Sequence, residues 1–155
     1  MLSKFSPHRR AVHRQYTTLL FLAVALVPLI GCSRSPYGDE TTYEEIIDDT
    51  DNTDMRERAM AYAELGRRTT KPDVAIPILI EGLADESKTV RYRAMSSLQV
   101  YGEKALRPLI VATKAPDSMT RFYAAHTLKK MPFPQAQEAH KKYMEVEGHK
   151  YDKGF

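Results

Sequence analysis

The reactive side chains of this 155-residue chain are few, with one cysteine and five histidines among them. Cys32 alone cannot close an internal disulfide, and one thiol with scattered imidazoles has no metal-finger spacing. His140 and His149 lie near Glu138, Glu145 and Glu147, a set that could hold a metal ion weakly but reads as solvated charge on a terminal helix. Asp85 and Glu86 are adjacent carboxylates. Neighbours in sequence point different ways from a helix or turn, so they make no defined acid–base pair. There is no glycine-rich phosphate loop, no Gly-x-Ser-x-Gly elbow and no His-Glu-x-x-His pair. The expectation is a chain that is not an enzyme, with no catalytic residue, no metal and no cofactor.

The one thiol has a specific setting. Met1 to Tyr16 carries Lys4, Arg9, Arg10 and Arg14 and no acid, and an apolar run follows from Leu19 to Ile30. Twelve residues rise about 18 Å as a helix, against about 30 Å of bilayer hydrocarbon, so the run is too short for a permanent span. A basic stretch, a short apolar stretch and small residues after it describe a secretory signal. Its end, Leu29-Ile30-Gly31-Cys32, resembles the lipobox of bacterial lipoproteins at all four positions. The resemblance implies a diacylglyceryl group on the Cys32 thiol, cleavage between Gly31 and Cys32, and further acylation of the new amino group. It also implies outer-membrane sorting, because Ser33 rather than Asp follows the cysteine. Two or three acyl chains anchor stably, since each buried CH₂ contributes about 0.8 kcal/mol. Arg9-Arg10 lacks the residues of a twin-arginine signal around it, so the general secretion route is expected.

Charge must be read after this removal. Residues 1–31 take away four positive charges and no acid, which turns the formal +3 into −1. A basic-protein argument for nucleic acid therefore fails. Residues 33–53 hold seven acids against Arg34 alone and few large apolar residues, which reads as a disordered tether over 32–53. The acids lack the spacing and turn glycine of an EF-hand loop.

The elements that follow are repeated. Met55 to Ala63, Val90 to Leu98 and Thr120 to Leu128 align, the last two offset by 30 residues throughout. Between them Val74 to Leu83 recurs as Lys104 to Ala112, with Pro77 and Pro108 placed 31 apart. Each proline is expected near a helix start, where its missing N–H costs nothing. Gly66 and Gly102 are expected as helix C-terminal glycines. Val90, Ala94, Ser97, Leu98 and Tyr101 have helical spacing, and Ala59, Ala94 and Ala124 hold one equivalent small site. Neither helix of a pair can bury its stripe alone, so pairs must stack. The spacing predicts an all-α fold, a short right-handed α-solenoid of two to three helix pairs over 54–147. Its first helix would span 54–65 and its last 134–146, with a tail over 148–155.

This pattern resembles the short HEAT-like repeats also found in phycobilin lyases. The motif is read in Pro77 to Ile80, Asp85 and Val90 to Leu98, then in Pro108 to Ile110, Asp117 and Thr120 to Leu128. The resemblance covers residues 54–131. It implies that Asp85 with Arg91, and Asp117 with Arg121, tie adjacent repeats through loop carboxylate and guanidinium. The scaffold says little about function, because unrelated functions share it. In the second helix of each pair, positions 3, 4 and 7 should point outward on the concave side. These are Tyr92, Arg93 and Ser96, then Phe122, Tyr123 and His126, a set with the aromatic and arginine composition of an interface centre. The reading is a lipid-anchored scaffold module of the bacterial envelope. It would face the periplasm and bind another envelope protein, with no nucleic acid. The alternative is a small accessory enzyme or cofactor-handling, lyase-like protein using the solenoid groove.

Overall fold

The computed structural model describes residues 36–148, which lie within one compact unit, Ser35–Phe155. The signal segment, the Gly31–Cys32 cleavage site, the Cys32 lipid site and His149 lie outside the described residues. Among those described there are seven α-helices and no strand. They are α1 (Tyr43–Asp48), α2 (Met55–Arg67), α3 (Pro72–Glu81), α4 (Lys88–Tyr101), α5 (Glu103–Ala112), α6 (Ser118–Lys129) and α7 (Pro134–Glu147). None of them is long and apolar enough to cross a membrane.

The helix starts follow from local chemistry. Thr42 and Glu45 form a reciprocal capping box at α1, which satisfies two otherwise unpaired N–H groups. Asp54 and Asp117 each accept a backbone N–H at α2 and α6, from Arg56 and Thr120. Pro72 and Pro134 open α3 and α7, where proline has no intrahelical bond to lose. Gly102 joins α4 to α5 with φ at 58°, in the region where only glycine is unstrained.

Helices α2, α4 and α6 pack in one row, and α3, α5 and α7 in a second row across them. The first helices begin at Pro72, Glu103 and Pro134, a constant step of 31 residues. Ala105 and Ala136 are one step apart and both fully buried, and Ala112 and Tyr143, also one step apart, are both buried. Thus α7 occupies the place of a first helix in a further repeat. Leu65, Leu79, Leu83, Leu98, Leu109 and Leu128 are fully enclosed between the rows. The small site holds as a packing position: Ala59 is 5% exposed and Ala94 and Ala124 are 0%.

Three expectations are corrected. Residues 36–53 are not a free tether. Tyr37, Tyr43, Ile46 and Thr50 are buried, and Arg68 donates to the Thr41 and Gly38 carbonyls. The segment has few large apolar side chains, but they fall on one side and cover the start of the solenoid, leaving Glu44, Glu45 and Asp48 in water. Pro77 and Pro108 lie inside α3 and α5, because Pro72 and Gly102 start those helices earlier. Gly66 lies within α2 rather than at its end. A Cβ there would come within 2.2 Å of Ser97 Oγ, so the requirement is close approach of two helices.

Candidate functional site

The recurring acid and arginine are structural, but they are not paired as expected. Arg91 donates through Nη1 to the carbonyls of Asp85 and Glu86, and Arg121 to those of Ala115 and Pro116. Each guanidinium thus ties its own preceding loop by the backbone. The Asp85 carboxylate takes a two-pronged contact from Arg58 of the previous repeat, at 2.9 and 3.2 Å. Arg58 also reaches Glu86 and the Asn52 and Thr53 carbonyls. Asp117 caps α6 through both the N–H and hydroxyl of Thr120. The Thr120 N–H is the main cause that holds its carboxyl below the usual range. The cross-repeat arginine was missed because Arg58 aligns with Arg93, not with Arg91. Arg58 and Asp85 are thus engaged in holding loops across the repeat boundary. Burial pushes the neighbouring Tyr62 hydroxyl up to about 12, so it stays neutral.

The six concave-side residues do not form one exposed patch. Tyr92 is 47% exposed, with the Lys88 ammonium 5.7 Å from its ring centre. Arg93 and Ser96 are exposed beside it, and Phe122 and His126 are half-buried. Tyr123 is buried, which corrects the expectation that it points outward. It lies edge-on to Tyr92 and Phe122, under the Arg91 guanidinium at 5.1 Å. The reason is that Tyr123 fills the space between α4 and α6, whereas its equivalent Arg93 faces water. His140, expected in solvent, packs beside His126 and approaches the Ala125 carbonyl. Among the described residues no group of three metal-ligating side chains occurs.

A large concavity among the described residues lies on the opposite row. A trough of about 1200 Å³ runs between α3 and α5. Its floor is Ile76, Pro77, Ile80, Pro108 and Ile110, with Val111 and Pro116 at its edge. Val111 is 65% exposed. The α5 side carries Lys104, Arg107 and Lys114, and the α3 side Asp73 and Glu81. A second hollow of about 710 Å³ between α5 and α7 shares Ile110, Lys114 and Ala115 with it. The two prolines thus place apolar rings in the trough. The sequence signal for this surface was present in Val74 to Leu83, which is apolar on more sides than one packed face requires.

No protein-family model matches the chain, and no curated protein matches it. Among solved structures, it is similar to the complex of CpcE and CpcF of phycocyanin lyase from Nostoc sp. PCC7120, at 27% identity and a TM-score of 0.49. The match covers 73% of this chain and 46% of the other, so this chain spans about half of that neighbour's length. The all-helical, repeated fold of the described residues stands on its own helices. The similar structure is that of a lyase, so the expectation that the chain is not an enzyme is not carried forward.

Proposed function

We propose that this chain is a cofactor-handling, lyase-like accessory protein that holds an apolar ligand bearing an acid group in the trough between α3 and α5. The observation that carries this reading is the trough itself. Small-molecule sites are concave, mostly apolar and furnished with a few placed polar groups. Here Ile76, Ile80 and Val111 supply the apolar wall and Lys104, Arg107 and Lys114 the cationic edge. Leaving such a surface in water forgoes about 25 cal/mol per Å² of apolar area, which a ligand would recover. Lipidation at Cys32 would keep the protein on an envelope membrane, exported side, with the solenoid in the periplasm. The second reading is a partner protein at the exposed Tyr92, Arg93 and Ser96, which is supported by the cation over the Tyr92 ring.

The test is titration of residues 36–155 with biliverdin, a rigid apolar body with two carboxylates, followed by its visible absorption. Saturable binding is expected, weakened by about tenfold or more in Val111→Glu and in Arg107→Glu, each removing about 1.4 kcal/mol or more. Val111 is exposed, so its substitution leaves the fold intact. Absence of saturable binding, or binding indifferent to both changes, contradicts the reading.

A further inference from the structure

We propose that His126 and His140 form a two-imidazole site for a borderline divalent transition-metal ion such as Zn²⁺, Ni²⁺ or Cu²⁺, across the seam between α6 and α7. The rings come from different helices, with centroids 6.4 Å apart and planes at 81°. A metal–imidazole bond of about 2.1 Å puts the centroids of two rings on one ion about 5.3 Å apart at a tetrahedral angle and about 6.4 Å apart when the two nitrogens are nearly trans. The observed spacing is at the wide end of that range.

The tautomers suit this role. Nδ1 of His126 lies 3.2 Å from the Phe122 carbonyl oxygen, and Nδ1 of His140 lies 3.1 Å from that of Ala125. A carbonyl can only accept, so each Nδ1 carries the proton and each Nε2 keeps its lone pair. An N–H held by a backbone carbonyl is the arrangement that orients metal-binding imidazoles and raises their basicity as ligands. The Phe122 ring, 4.2 Å from the His126 ring, fixes it on one side. Nitrogen donors select borderline ions over Mg²⁺ and Ca²⁺, which prefer oxygen. Two protein ligands leave coordination positions open to water or an anion. Neither histidine lines the trough, so this site stands or falls separately from the ligand reading.

Asparagine places its amide nitrogen where Nδ1 sits and removes Nε2. Equilibrium dialysis of the untagged full chain against Zn²⁺ and Ni²⁺ is therefore run on the wild type, His126→Asn and His140→Asn. The wild type should take up one ion per chain, and each variant should bind about tenfold or more weakly, with a metal-free melt close to wild type. Electron paramagnetic resonance of the Cu²⁺-loaded wild type should show coupling to two imidazole nitrogens, a readout independent of any variant. No saturable uptake at sub-millimolar metal, equal binding by both variants, or a Cu²⁺ spectrum of oxygen ligands alone would overturn the assignment.

Discussion

Arg58 is buried with its guanidinium shared between Asp85, Glu86 and two loop carbonyls. An unpaired buried charge costs far more than a paired one gains. Arg58→Ala strands Asp85, whose side chain is 12% exposed, and should lower unfolding free energy by about 3 kcal/mol in urea titration. Glu64 is a second such residue. Its side chain is 2% exposed and bonded by Arg67 and Arg68, and these guanidinium contacts, Arg67 first, hold its carboxyl below the usual range. The stability it contributes is present above the unfolded glutamate pKa of about 4.3 and is lost as pH falls through the lower folded value. Thermal melts between neutral and acid pH should therefore be less pH-dependent in Glu64→Gln than in wild type. At this scale the residues recurring with the repeat were legible, but their partners were not. Asp85 and Arg91 share a motif, yet the carboxylate meets Arg58, because which arginine crosses to the next repeat depends on the crossing of α2 and α4.

That crossing is the tightest contact between elements. Gly66 faces Ser97, whose Oγ donates to the Tyr62 carbonyl, and the Cβ of any larger residue would come within 2.8 Å of the Ser97 backbone. Backbone cannot swing aside as a side-chain end can. Gly66→Ala should thus destabilise by about 1–3 kcal/mol despite alanine's better helix propensity, as measured by denaturant midpoint. The opposite result, a stabilised variant, would mean the helices lie farther apart. Helix existence and pairing were legible because apolar spacing and the 30–31-residue offset report them directly. The proline and glycine signals were misassigned because each admits two physical explanations, a terminus or a local steric demand. The acidic segment was misread for a different reason: composition averages over residues 33–53, while Tyr43 and Ile46 act by their placement on one side of α1.

At the scale of the whole molecule, charge is polarised along the chain. Acids gather before α4 and bases after it, and the cationic edge of the trough belongs to the second part. The proposed lipid site, Cys32, precedes the acidic part in the sequence. Cys32→Ser removes the thiol that would accept lipid, so the protein should retain its signal or leave membranes on a high-salt wash. A fully processed, detergent-extracted variant would contradict the anchor. The proposed binding surface was legible only in part. Second-helix positions pointed to the Tyr92 row, whereas the trough arises from the side-by-side placement of α3 and α5, which no single repeat encodes. The most direct test is an amide chemical-shift map of residues 36–155 on adding biliverdin. Shifts concentrated at Ile76, Ile80, Val111 and Ala115 are predicted. Shifts confined to Tyr92, Ser96 and Phe122, or none at all, would contradict the trough as the binding site.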